Sequence, residues 1–233
     1  MDQNTAKRLA AEAALRYVPE SGVVGLGSGS TAAHFIRGIA RLVSEGRALR
    51  GVPTSEESRA LASSLGIDLL PDEGPWVIDV CVDGADEVNP ALDVIKGGGG
   101  CHTREKIVNE AARLNIIIVD ESKLCSRLGA RAPLPVEVLA FAHTATRQAL
   151  AKFGNVGLRM VGDAPYRTDS GNLVYDVAIG AIEDPRELNH RLRAIPGVIE
   201  TGLFVGRVDR VIVAGPEGIR ELARPEPART ARY

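Results

Sequence analysis

Apolar runs of strand length, set between segments with helical spacing, limit this chain to few folds. Val23-Val24-Gly25, Trp76–Val82 (WVIDVCV) and Ile116–Val119 (IIIV) read as strands, with Ala48–Pro53 as a further one. Helical spacing over Ser30–Val43, Glu56–Leu65 and Thr103–Leu114 places helices between them, and MDQNTAKRLAAEAAL at the start reads as an amphipathic helix. Strands alternating with helices imply a mostly parallel sheet covered on both faces, an α/β Rossmann-like domain.

The second half has another rhythm. Strands are predicted at Val136–Ala140, Gly157–Val161, Leu173–Ile179 and Ile199–Phe204, with helices at His143–Phe153 and Pro185–Ala194. This β-α-β-β-α-β order is the split βαβ, ferredoxin-like pattern of a smaller α+β domain. Pro133 and Pro135 mark its entry, and Val208–Ala214 (VDRVIVA) is expected to return to the first sheet. The expected organisation is a discontinuous α/β domain over 1–132 and 206–233, with the small domain over 133–205. The final RPEPARTARY has too little apolar content to pack and is expected to fray.

Composition narrows the classes of function. With 45% hydrophobic residues among 233 the chain can bury a substantial core. A net charge of -2 offers no basic face for nucleic acid. No stretch of about 18 apolar residues could cross a membrane, and the first residues lack the apolar core of a signal peptide. Three cysteines, Cys81, Cys101 and Cys125, show no CxxC spacing, which fits a reducing compartment and a cytoplasmic protein.

Three unusual segments each follow a predicted strand, where open parallel sheets bind ligands. In GLGSGST (Gly25–Thr31) the glycines allow a sharp turn, Ser28, Ser30 and Thr31 add hydroxyls, and the following helix offers N–H groups to a phosphate. A serine-capped tight turn is the plain alternative. A dinucleotide fingerprint would need glycine or alanine at Ser30, and a Walker A loop would need a lysine that is missing. In DGADEV (Asp83–Val88), Asp83 and Asp86 would be costly beside a buried strand unless paired or used, whereas an Asx-type turn would leave them solvated. Glu87 is expected to point away from its neighbours and is the weakest candidate. In KGGGGCHTREK, Lys96 precedes Gly97–Gly100, a loop whose N–H groups can wrap an anion or a developing oxyanion. Glu105, in the first turn of the next helix, is either a general base or a partner of the helix dipole. Lys123, in VDESK, is a further ligand cation or a surface lysine. A metal site at His102 and the carboxylates lacks a compact ligand spacing, a Cys101 nucleophile lacks an evident base, and His34, His143 and His190 show no partner pattern.

Taken in this order and at these separations, the segments resemble ribose-5-phosphate isomerase of the A type. PLPVEV (Pro133–Val138) and IPGVIETGLF (Ile195–Phe204) resemble further signatures of that family, and the likeness runs from the first helix to Val213. The resemblance implies a homodimer or homotetramer that interconverts ribose 5-phosphate and ribulose 5-phosphate in the pentose phosphate pathway and the Calvin cycle, without cofactor or metal. It makes Glu105 the base moving a proton between C1 and C2, with Asp83, Asp86 and Lys96 around the reacting oxygens. Substrate is expected to be held by Ser28, Gly29, Ser30 and Thr31, by Asp83, Gly84, Ala85 and Asp86, by Lys96, Gly97, Gly98 and Gly99, and by Lys123. Lys7 on the first helix is expected to reach the phosphate. The chain departs from many bacterial members at Gly100-Cys101-His102 and at Ser28, and neither change removes a group the chemistry needs. The competing reading is a non-catalytic sugar-phosphate sensor, for which no basic DNA-binding face is visible. An amino-sugar-phosphate deaminase or acyl-CoA transferase on a similar sheet would need a different base arrangement.

Overall fold

In the computed structural model of the protein, which describes residues 1–224, the elements run α1 (Gln3–Ala14), β1 (Ser21–Leu26), α2 (Gly29–Ser44), β2 (Ala48–Pro53), α3 (Glu56–Ser64), β3 (Asp68–Leu69), β4 (Ile78–Asp83), β5 (Glu87–Val88), β6 (Val94–Ile95), α4 (His102–Ala111) and β7 (Ala112–Asp120). There follow β8 (Leu134–Val138), α5 (His143–Leu150), β9 (Asn155–Leu158), β10 (Met160–Val161), β11 (Ala164–Pro165), β12 (Leu173–Ala178), α6 (Pro185–Arg193), β13 (Val198–Thr201), β14 (Leu203–Phe204), β15 (Arg210–Gly215) and β16 (Gly218–Ala223). The expectation of a frayed C-terminal end concerns chiefly residues 225–233, outside the described residues; Arg224 itself donates from Nε to the Val208 carbonyl at 2.9 Å.

The chain divides into two compact units, 1–85 with 104–123 and 206–233, and 86–103 with 124–205. In the first, a seven-stranded sheet has the order β16-β15-β7-β4-β1-β2-β3, parallel except for the edge strand β16. Both faces are apolar. Val24, Leu26, Val80, Val82, Ile116 and Ile118 face α1 and α2 through Ala10, Ala14, Phe35, Ile36 and Ile39. Val23, Val52, Ile78 and Cys81 pack with Val108 of α4 on the other. Burial on both sides explains why these strands read as near-continuous apolar runs. The strand order reverses between β1 and β4, the topological switch point at which such sheets open a crevice.

The second unit holds a four-stranded antiparallel sheet of order β13-β8-β12-β9, the arrangement a split βαβ pattern demands. Leu134, Val136, Val138, Tyr175 and Val177 of this sheet pack with Leu150 of α5 and Leu192 of α6. A separate three-stranded sheet, β14-β6-β5, lies in the same unit. The compact division groups 86–103 and 124–132 with this unit, whereas a boundary at Pro133 groups them with the first. Long-range pairing is the reason: β6 pairs β14, and the Glu87 carboxylate accepts backbone N–H groups of Gly129, Arg131 and Ala132 at 2.6, 3.1 and 3.1 Å.

Element edges shift where tertiary pairing overrides local pattern. The helix expected over Thr103–Leu114 ends at Ala111, because Ala112 and Leu114 join the ladder opposite Ile78 and Val80. The run Ile199–Phe204 is split between two sheets, in β13 and β14.

Candidate active site

Strand β1 runs out at Leu26, and α2 begins at Gly29. Between them the Gly27 N–H donates to the Val82 carbonyl at 3.0 Å and the Ser28 N–H to Asp83 Oδ1 at 3.0 Å. The Gly84 N–H donates to the same oxygen at 2.7 Å. Asp83 is therefore tied across the switch point to the turn that follows β1. Gly27 is required by this approach: a Cβ there would lie 2.3 Å from Asp83 Oδ1 and 2.6 Å from its Cα.

The serine-cap alternative fails at Ser28. It occupies the N-cap position of α2, yet its side chain makes no capping bond; its hydroxyl instead lies 2.7 Å from Thr54 Oγ1. The first N–H groups of α2 thus lack a side-chain cap, the arrangement that suits an anion. Lys7 of α1 brings its Nζ 3.1 Å from Ser30 Oγ, adding a positive charge at that helix start. Thr31 lies over Gly84, with 4.0 Å between its Cβ and a Cβ built at the glycine. Glu105, in the first turn of α4, is 6% exposed.

Lys123 closes a short 3₁₀ turn, Glu121–Lys123, after β7 and is half-buried. The turn is shaped by Asp120, which accepts the Ser122 N–H at 3.0 Å, the Ser122 hydroxyl, and Gln3 Nε2 at 3.2 Å. Burial alone would raise the Asp120 carboxyl; these hydrogen bonds and the Lys123 charge outweigh it and hold the group below its ordinary range.

In the second unit Asp86 accepts the Gly98 N–H on Oδ2 at 2.8 Å, which joins the aspartate to the glycine loop. Lys96 ends β6. Its N–H donates to the Gly202 carbonyl at 2.9 Å, and its Nζ, 5.7 Å from the Phe204 ring centroid, belongs to a side chain only 4% exposed. The loop turns back through a Gly100 N–H to Gly97 carbonyl bond of 2.9 Å, with Gly97 and Gly100 at φ of 105° and 78°. His102 is fully buried beneath it, its Nδ1 2.7 Å from where a Gly97 Cβ would be.

Comparison with known proteins finds relatives over nearly the whole chain. The sequence profile of ribose 5-phosphate isomerase A (phosphoriboisomerase A) matches residues 50–218. A ribose-5-phosphate isomerase A from Sinorhizobium fredii is 47% identical over 230 residues, 95% of this chain and 99% of the relative. A solved D-ribose-5-phosphate isomerase in complex with phospho-erythronic acid is 40% identical with a TM-score of 0.93, over 96% of this chain and all of the other. The ribose 5-phosphate isomerase A of Methanocaldococcus jannaschii gives 41% and 0.89, over 94% and 99%.

The chain belongs to the ribose 5-phosphate isomerase A family.

Within this isomerase the first unit brings together Ser28, Ser30, Thr31, Asp83 and Gly84 with Lys7, and the second brings Asp86 to Gly98. The chain passes between the units after Ala85, Thr103, Lys123 and Val205; the first two crossings fall inside segments singled out from the sequence and the third at the end of VDESK. Glu87 does turn from its neighbouring acids, but it is 1% exposed and organises the loop at 129–132. Two groups in the second unit escaped the sequence reading. Arg159 donates to the Gly97 and Gly98 carbonyls at 2.8 and 3.1 Å, and Tyr166 OH to the Gly99 carbonyl at 3.0 Å. No local pattern marks either residue. Among the described residues, no three His, Cys, Asp or Glu side chains gather as a metal site.

Proposed function

We propose that this chain interconverts D-ribose 5-phosphate and D-ribulose 5-phosphate with Glu105 as general base. The isomerase activity rests on family membership, and it is a step of the pentose phosphate pathway. The roles of individual residues rest on one observation: Glu105, Asp83 and Lys96 are 6%, 4% and 4% exposed. Ionisable groups are rarely so buried in a fold of this size unless they are paired or used.

The Ser28–Thr31 turn and Lys7 take the phosphate, and Lys123 adds a further cation to the substrate set. Asp83 or Asp86 assists opening of the furanose ring. The Glu105 carboxylate removes the proton from C2 of the aldose, and the electrons move to O1 to give an enediolate. Lys96 and the N–H groups of Gly97 and Gly99 stabilise that charge, the Gly98 N–H being held by Asp86. The proton returns to C1 and the O2 proton is lost to O1, so nothing is oxidised overall and no cofactor is consumed. We further propose a cytoplasmic enzyme, for which Cys81, Cys101 and Cys125 remaining thiols is the support. A homodimer or homotetramer is proposed because the apolar Phe141 is 83% exposed. Among the described residues no helix is long and apolar enough to cross a membrane.

Ketose formation from ribose 5-phosphate by the metal-stripped protein, and its loss in Glu105→Gln, is the test. Turnover should fall by about 10²–10⁴ with little change in KM, the usual worth of a general base. Parental turnover in the variant removes Glu105 from that role, and a parent that binds the sugar phosphate without turning it over supports the sensor reading.

A further inference from the structure

Three carbonyls of the glycine loop, those of Gly97, Gly98 and Gly99, accept from two residues that flank a hairpin outside the catalytic segments. Arg159 and Tyr166 flank the β10–β11 hairpin and are joined by a Tyr166 N–H to Arg159 carbonyl bond of 2.9 Å. The Arg159 guanidinium is fixed from behind by Asp176 of β12, through Nε to Oδ2 at 2.9 Å and Nη2 to Oδ1 at 2.5 Å, a two-point fork that sets its plane. Its remaining Nη1 takes the Gly97 and Gly98 carbonyls. Tyr166 lies against the guanidinium, with 5.8 Å from Cζ to ring centroid, and takes the Gly99 carbonyl through its hydroxyl.

In a planar trans peptide the N–H points opposite to the preceding carbonyl. With the Gly97 and Gly98 carbonyls drawn to Arg159, the N–H groups of Gly98 and Gly99 are turned to the other side. The Gly98 N–H does reach Asp86 Oδ2 there, at 2.8 Å. A run of glycines holds no such orientation by itself, because each residue has more freedom than any other type.

We propose that Arg159, locked by Asp176 and assisted by Tyr166, is a positioning residue that aims the Gly99 N–H at the oxygen that becomes negative in the transition state, while it keeps the Gly98 N–H on Asp86. The inference rests on the reading of Gly97–Gly99 as part of the oxyanion site. Removing one oxyanion donor costs about 10²–10³ in turnover, and mis-aiming it without removal is expected to cost roughly 10–100-fold. Arg159 touches no reacting atom, so its loss should act on kcat and leave KM within about threefold, as expected for interactions made mainly in the transition state.

The experiment compares kcat, KM and thermal midpoint for Arg159→Met, Arg159→Lys and Tyr166→Phe, with and without added methylguanidine. The expected result is a roughly 10–100-fold fall in kcat for Arg159→Met, partial recovery by methylguanidine, and little rescue by Arg159→Lys, whose single ammonium cannot reproduce the fork. Tyr166→Phe keeps the ring and loses one bond, so about a three- to tenfold fall in kcat is expected. Parental kcat in Arg159→Met overturns the proposal. So does a fall matched by an equal rise in KM, or one that follows the thermal midpoint with no recovery by methylguanidine. If Arg159→Met does not fold, an unchanged kcat in Tyr166→Phe overturns it. Glu105→Gln in the same assay separates the two ideas: its normal turnover rejects the underlying reading, whereas its failure beside a fully active Arg159→Met rejects only the positioning role.

Discussion

Gly27→Ala should damage both stability and turnover, although the change is one methyl group. The added Cβ would stand 2.3 Å from Asp83 Oδ1, 2.4 Å from its Cγ and 2.6 Å from its Cα. Rotating the aspartate side chain relieves the first two contacts only, because the third is to backbone. The carboxyl ends of β1 and β4 must therefore separate, or Asp83 must move with its strand end. Overpacking of this kind costs about 1–3 kcal/mol. Separation also stretches the Ser28 N–H bond to Asp83 Oδ1, and a hydrogen bond to a charged group is worth about 1.5–3 kcal/mol. The sum, about 2.5–6 kcal/mol, is a large part of the 5–15 kcal/mol that holds a typical domain together. Urea unfolding followed by circular dichroism measures the loss, and ketose formation at saturating substrate measures the displaced carboxylate. Gly157→Ala is the matched control: its Cβ meets only the Asp176 carbonyl, at 4.0 Å, so a change within about 0.5 kcal/mol is expected. If Gly27→Ala unfolds with the parent and retains its turnover, the close approach of Gly27 to Asp83 is not a constraint on this site.

Three other outcomes follow from the described contacts. Asp120, with its carboxyl below the ordinary range, stabilises the fold fully above about pH 4 and loses that contribution as pH falls through its folded value; Asp120→Asn should therefore be less stable than the parent at pH 7, with the gap closing toward pH 2 in urea titrations. Burial, reinforced by the Glu87 charge, pushes the Cys125 thiol up to about 11, so iodoacetamide at pH 8 should modify it on the order of 10²-fold more slowly than a free cysteine of pKa about 8.5; peptide mapping that finds equal rates contradicts this environment. Lys7→Ala removes the cation beside Ser30, and initial-rate kinetics should show KM raised roughly tenfold with kcat nearly unchanged, the worth of one charge-assisted bond to phosphate.

Much of this protein was legible without coordinates because its information is local. Apolar runs such as WVIDVCV and IIIV are what strands buried on both faces must contain, and the β-α-β-β-α-β order leaves few ways to pair four strands. The candidate residues were visible for a similar reason: serines, aspartates, glycines and a lysine crowd into short segments after strands, where solvation alone does not explain them. Other features depend on partners distant in sequence. The helix over Thr103–Leu114 ends early because Ala112 and Leu114 find Ile78 and Val80. Glu87 reads as a surplus acid until Gly129, Arg131 and Ala132, more than forty residues on, direct their N–H groups at it. Arg159 is separated from Gly97 by 62 positions, and nothing in GLRMVGDAPYR announces that its guanidinium holds the glycine loop. Periodicity and composition encode which face of an element is buried and where a turn must be; which donor meets which acceptor is decided only when strands of different segments come into register, since that distance does not exist in the unfolded chain.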